Sequence, residues 1–247
     1  MCQHIGKTIV KVDRTESTNN YAIGQVYENE VEEGTVFLAH DQTFGRGHFA
    51  NRWESEAGKN LTFSVFIRPA FLPVHQTFML SKVVCLGIEN CLSKFINDVK
   101  VKWPNDIYVN DRKVCGILIE NGIMNSQIRQ SVIGIGLNVN QARFHSDAPN
   151  PVSLKLISGE AYDLDSLLKD VLESIDYYYA QLVAGKFEYL DRAFHDRLYR
   201  FDEWHAFKDE NHHYTGKITG VNEIGQLRIQ EKEGPMHEYH FKEVVYL

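Results

Sequence analysis

The chain has 247 residues, 43% hydrophobic and 24% charged, which suits a globular protein with one sizeable core and a small appendage. Its net charge of -7 argues against a nucleic-acid binder, because phosphate contacts need a basic face. No apolar run reaches the length of a bilayer, and residues 1–12 lack the apolar centre of a signal peptide.

The cysteines Cys2, Cys85, Cys91 and Cys115 form no Cys-x-x-Cys pair, so neither zinc nor a redox motif is signalled. Reduced thiols in a cytoplasmic protein are expected.

Lys7 to Val12 reads as a short strand. Ser17-Thr18-Asn19 precedes a helix predicted to run through about Tyr27. Ser17 suits an N-cap, and the same hydroxyls and amide suit a small polar ligand at a helix N-terminus. Thr35 to His40 is a strand that leads into Gln42 and the stretch Thr43 to Trp53. Gly45-Arg46-Gly47 there is by default a surface loop. Its amides also suit an anion, with Arg46 supplying a planar fork. Trp53 suits either a core or a flat surface for a purine ring.

Asn60 to Arg68 is a strand with Leu61, Phe63, Val65 and Ile67 on one face. Gln76 to about Ile96 has the apolar spacing of a core helix. Val99 to Trp103 alternates apolar and basic residues, and Pro104 ends that strand because it lacks a donor. Asn105-Asp106 turns the chain into a strand at Ile107-Tyr108-Val109. Asn110-Asp111 is a hairpin turn, and Arg112 to Glu120 is the returning strand. Lys113 stands at the mouth of that strand. Gly116 lies in its interior, where glycine often marks close approach by a ligand or another backbone.

Lys102-Trp103-Pro104-Asn105-Asp106 followed by Arg112-Lys113-Val114-Cys115-Gly116-Ile117-Leu118-Ile119-Glu120 resembles the central motif pair of the biotin protein ligases. The resemblance covers nearly the whole chain. It implies an α/β fold: the mixed sheet with helices of class II aminoacyl-tRNA synthetases, then a small SH3-like β domain. It implies a biotin site at Ser17, Thr18, Asn19, Gln42, Gly45, Arg46, Lys113, Gly116, Gly134 and Gly136. It implies an ATP site at Arg46, Trp53, Lys102, Asn105, Asp106 and Asn138, with Mg²⁺ beside Asp106. Lys113 and Arg46 are the cations expected to serve the reaction. Residues 43–52 resemble the family's glycine-rich lid. They depart from it at His48 and Asn51, where many relatives have Arg, and at Ala50, where many have Gly. Phe49 is expected to fold over the apolar part of the ligand.

Ser131 to Asn140 is a strand with Ile133, Ile135, Leu137 and Val139 on one face. Gly134, Gly136, Asn138 and Asn140 share the other face, which leaves room for a flat or chain-like ligand or for a neighbouring strand. Asp163 or Asp165 caps a helix to about Ala184, with Gly185 as its stop. Tyr177-Tyr178-Tyr179 in that helix serve packing. Phe187 to Arg200 is another helix. Short strands with turn signals from Trp204 to Leu247 suggest a barrel-like β domain. The expected boundary falls between a catalytic domain, 1–200, and this domain, 201–247. His212, His213, His237 and His240 lack an ordered ligand spacing and are expected at the surface.

The resemblance implies ATP-dependent activation of biotin as biotinyl-5'-AMP and its transfer to a lysine of a biotin carboxyl carrier protein. Two other classes share part of the pattern. Lipoate ligases and octanoyl transferases share the catalytic fold but favour an apolar end in place of Ser17-Thr18-Asn19. A non-enzyme regulator that binds biotin or its adenylate is the other. Some relatives carry an N-terminal DNA-binding domain and act as repressors; here sixteen residues precede Ser17, too few for a helix-turn-helix, so no DNA partner is expected. No membrane partner is expected either, and the protein is expected to be a monomer or homodimer.

Overall fold

The computed structural model describes residues 3–48, 51–146 and 148–247. Phe49 and Ala50 of the expected lid lie outside the described residues, as does Cys2. The chain enters through β1 (Ile9–Thr15), α1 (Thr18–Glu28) and β2 (Val36–Gln42). A short hairpin follows, β3 (Gly45–Arg46) and β4 (Arg52–Trp53), and then β5 (Leu61–Ile67). After a 3₁₀ turn at Val74–Gln76 come α2 (Phe78–Leu92), β6 (Val99–Lys102) and β7 (Asp106–Val109). The long strands β8 (Arg112–Met124) and β9 (Gln127–Leu137) are joined by Asn125 and Ser126, both at positive φ. The helices α3 (Leu154–Ser158), α4 (Leu164–Val183) and α5 (Phe187–His195) follow. The last strands are β10 (Trp204–Lys208), β11 (His213–Val221), β12 (Leu227–Glu231), β13 (Met236–Tyr239) and β14 (Val245–Tyr246).

The central sheet has seven strands in the order β1-β2-β5-β9-β8-β7-β6, with β1 and β2 parallel and the other pairs antiparallel. Register fixes its two faces, because directly opposed residues point the same way. Phe63 opposes Ile135, and Ile135 opposes Ile117; all three are buried in the main core with α2 and α4. Ser64 opposes Gly134, Thr62 opposes Gly136, and Gly136 opposes Gly116. That second face carries small and polar residues, and α1 packs beside it. β5 was read as greasy on one face, yet it is buried along its whole length, since α1 covers the other.

Several elements differ from expectation at their ends: β1 starts two residues later and runs on to Thr15, α2 is shorter at both ends, and β9 begins at Gln127 and stops at Leu137 rather than spanning Ser131 to Asn140. α5 stops at His195, because residues 197–199 pair with the edge of β6: Val101 N–H donates to Arg197 O, and Tyr199 N–H to Val101 O. Arg200 and Asp202 then take positive φ. β8 runs four residues past Glu120, carried by its pairing with β9 through a bulge at Gly122.

The carboxy-terminal sheet is antiparallel, in the order β13-β12-β11-β10-β14. Phe207, Ile218 and Leu227 belong to the same buried cluster as the central sheet. The indole N–H of Trp103 donates to Gly225 O at 2.8 Å across the junction. Of the histidines there, His212 and His237 sit on Glu231, and no group of three or more His, Cys, Asp or Glu suited to a metal occurs among the described residues. Among them, too, no helix is long and apolar enough to cross a membrane.

Candidate active site

The small, polar face of the sheet is the floor of a cavity of about 150 Å³. Ser17, Thr18 and Asn19 come to it from the start of α1. Ser17 is the N-cap, its hydroxyl accepting from Asn20 N–H, so the next two side chains are presented at the helix mouth. They are organised before any ligand arrives. Thr18 N–H donates to Gln42 Oε1 at 2.9 Å. Ser64 Oγ lies 2.8 Å from Thr18 Oγ1 and 2.6 Å from Asn19 Oδ1. Asn19 Nδ2 donates to Glu120 Oε2 at 2.7 Å and to Leu118 O at 3.2 Å. Ser17, Thr18, Asn19 and Ser64 are all buried, so this is a fixed polar cup rather than a solvated surface.

Two glycines of β9 are glycine for a measurable reason. A Cβ on Gly134 would lie 2.4 Å from Asn19 Oδ1. A Cβ on Gly136 would lie 2.4 Å from the Trp53 ring. The absence of side chains lets the Asn19 amide and the indole lie directly on the strand. Gly116, opposite Gly136, is also under the Trp53 ring and beside the Lys113 stem. Gly45 fits between Trp53 and the Gln42 amide and closes the β3–β4 hairpin.

Two of the cations that line the cavity, Lys113 and Arg46, each have a carboxylate of their own. Lys113 Nζ is 2.7 Å from Asp106 Oδ1 and 5.6 Å from the centre of the Trp53 ring. Arg46 Nη2 is 2.6 Å from Glu120 Oε2. The Arg46 Nε and Trp53 Nε1 are buried donors without a protein partner among the described residues. Such donors await an acceptor. His48 also faces the cavity, and burial lowers its pKa below the ordinary imidazole value against the pull of Asp106. One cleft thus joins a neutral polar cup, a glycine floor and two held cations. It suits a ligand with a polar head, an apolar middle and an anionic end.

A family model of the biotin/lipoate A/B protein ligases matches residues 12–138, which include all of this floor. The chain belongs to that family. The bifunctional ligase/repressor BirA of Bacillus subtilis is 27% identical over 93% of this chain and 71% of its own length. The biotin--[acetyl-CoA-carboxylase] ligase of Paracoccus denitrificans is 27% identical over 90% of this chain and 93% of its own. The biotin protein ligase from Aquifex aeolicus, solved in complex with biotin and ATP, superposes with a TM-score of 0.80 at 26% identity. That match covers 97% of this chain and 98% of that one.

The family motifs do not all reach the cavity. Asn105 and Asp106 line it; Asn105 also ties β7 to β8, its side chain donating to Ile117 O. Lys102, expected at the nucleotide, is outside the lining and is held among tyrosine rings. Its Nζ is 4.6 Å from the centre of Tyr108 and 4.8 Å from that of Tyr246, and desolvation lowers its pKa. Asn138 is also outside. It is buried past the end of β9, donates through Nδ2 to Val152 O at 3.1 Å, and pins the 152–154 segment.

Ser64, Glu120 and Phe241 are among the residues of the site that were not anticipated. Ser64 had a signal: with Thr62 it puts hydroxyls at alternate positions of an otherwise apolar strand. Glu120 was read only as the end of a strand and of the family motif. Phe241 comes from the turn between β13 and β14, far along the chain, and nothing local marked it.

Proposed function

We propose that this chain is a biotin protein ligase: it activates biotin as biotinyl-5'-AMP with ATP and transfers the biotinyl group to a lysine of a carboxyl carrier protein. The observation that carries the reading is the single cleft joining the Ser17–Asn19 cup to Lys113 and Arg46 over a glycine floor. A ureido ring needs fixed donors and acceptors, a valeryl chain needs an open apolar strand, and a carboxylate needs cations. The named ligases among the relatives, and the biotin and ATP bound by the Aquifex protein, support the same reading.

In the first half-reaction a biotin carboxylate oxygen attacks the α-phosphorus. A new O–P bond forms, the bond to the bridging oxygen breaks, and pyrophosphate leaves. Two anionic groups must meet, so Lys113 and Arg46 act by stabilising charge at the reacting atoms. Asp106 and Glu120 hold these cations in position beforehand. In the second half-reaction the neutral amine of the acceptor lysine attacks the acyl carbon. An amide forms, AMP leaves and the amine sheds a proton.

Magnesium fits here as an ion carried by the triphosphate, which needs only one or two protein carboxylates. Asp106 is the carboxylate in the cavity wall. When bound, the ion supplies further neutralisation of phosphate charge.

The test is transfer of labelled biotin, with lipoate as the rival, from ATP-containing mixtures to a purified carrier domain. Biotin should become attached to the carrier lysine and lipoate should not. Transfer of lipoate alone would overturn the assignment.

A further inference from the structure

Phe241 belongs to the carboxy-terminal sheet, yet it lines the cavity of the catalytic sheet. Its turn is built to present it. His240 N–H donates to the Glu243 carboxylate at 2.6 Å, Glu243 N–H returns to His240 O at 3.1 Å, and Lys242 between them has φ 73°. A non-glycine residue in that region marks a turn whose shape is imposed. The Phe241 ring meets Trp103 edge-on, with centroids 6.2 Å apart at 68°. On its other side it meets His48 of the covering hairpin, 5.4 Å away at 63°. Trp103 itself is buried and fixed by its bond to Gly225 O. Gly225, Trp103, Phe241 and His48 therefore form a continuous chain from the carboxy-terminal sheet to the β3–β4 hairpin.

That hairpin has little hold of its own. It is a ladder of two residue pairs, Gly45 with Trp53 and Arg46 with Arg52. It is tied to the sheet by the Trp53 ring, which lies on Gly116 and Gly136, and by Arg46 with Glu120, and a phosphate drawing on Arg46 competes with the second tie. The His48–Phe241 contact does not compete with an anion. Burial keeps His48 toward its neutral form, which suits an edge-to-face contact.

We propose that Phe241 is a positioning residue, through which the carboxy-terminal sheet holds His48 and the covering hairpin over the cavity while the adenylate is present. This rests on the ligase reading and names the residue by which the carboxy-terminal sheet acts on that site.

The experiment compares wild type with Phe241→Leu, Phe241→Tyr, His48→Ala and the Phe241→Leu/His48→Ala pair, in the full chain. Amide exchange of residues 45–48 is read in the free protein, and release of preformed biotinyl-AMP is read separately. Phe241→Leu should speed exchange at 45–48 and speed adenylate release about fivefold, the scale of one aromatic edge contact. Biotin affinity should stay within about twofold, since the Ser17–Asn19 cup is untouched, and Phe241→Tyr should restore retention. The pair should be no worse than the more damaging single change, because both remove one contact. Unchanged exchange at 45–48 in Phe241→Leu, or additive losses in the pair, would overturn the proposal. A wild type that forms no biotinyl-AMP would instead overturn the ligase reading, and exchange at 45–48 would still decide the contact.

Discussion

Lys113 is the residue on which the proposed chemistry turns. Its ammonium is held by Asp106 at 2.7 Å in the cavity wall. Lys113→Met keeps the stem and removes the charge. Adenylate formation should fall by about 10²–10³, the scale of one lost electrostatic stabiliser. Biotin affinity should fall less, because the cup on Thr18, Asn19 and Ser64 is intact. An unchanged rate in a pyrophosphate-release assay would reduce Lys113 to a partner of Asp106. His48 offers the opposite change. Burial favours its neutral form, so His48→Arg adds a fixed charge to the cavity wall. Because the same change removes the ring that meets Phe241, the reference is His48→Ala: release of biotinyl-AMP should be slower in His48→Arg than in His48→Ala, measured as decay of the preformed complex, and equal or faster decay would show that the wall position does not face the phosphate. At this scale the sequence was informative where a residue type is odd for its element. Gly116 and Gly134 inside strands, and Lys113 at a strand mouth, stand out against apolar neighbours. Lys102 and Lys113 look alike in sequence, as lysines flanking one hairpin. What separates them is Tyr199 and Tyr246, which come from distant parts of the chain to enclose Lys102.

Among the elements, the strands and main helices were readable because their periodicity follows local burial, from β5 to α2 and α4. Ends were less readable. α5 yields its last turn to pairing with β6, and no local signal records a bond to Val101. The lid shows the same limit. Residues 43–52 read as an open glycine-rich loop, but 45–46 and 52–53 pair as a hairpin, with Gly47 N–H donating to Asn51 O at 2.7 Å. Arg52 lies over the Phe44 ring, 4.2 Å from its centre. A small hairpin of this kind opens at low cost, since few ladder bonds oppose the entropy of release. The hairpin should exchange faster in the free protein, where the Phe241 contact slows it only in part, than with biotin and ATP, when Arg46 and the loop amides gain an anion. Equal protection in both states would make the hairpin a preformed wall rather than a lid.

For the whole molecule, the two sheets act together because one buried cluster runs through both and Trp103 bridges them. The Lys-Trp-Pro-Asn-Asp motif is therefore also part of the junction with the carboxy-terminal sheet. A motif read in isolation could show only its chemistry; its second use depends on Gly225 and Phe241, which arrive more than a hundred residues later. The same scale decides whether the chain acts on DNA. The Bacillus relative is named a ligase and a repressor, and the match spans 71% of its length. Duplex binding draws most of its free energy from releasing counterions as lysines and arginines meet phosphates. Here the net charge is -7, and at the active site Arg46 and Lys113 are each already held by a carboxylate. A phosphate backbone would have to displace those carboxylates, and the net negative charge of the chain would oppose its approach. This 247-residue chain should therefore give no sequence-specific shift of a biotin-operon promoter fragment at nanomolar protein and physiological salt, with or without biotin and ATP. A specific shift that weakens steeply as salt rises would reveal a basic face that the overall charge conceals.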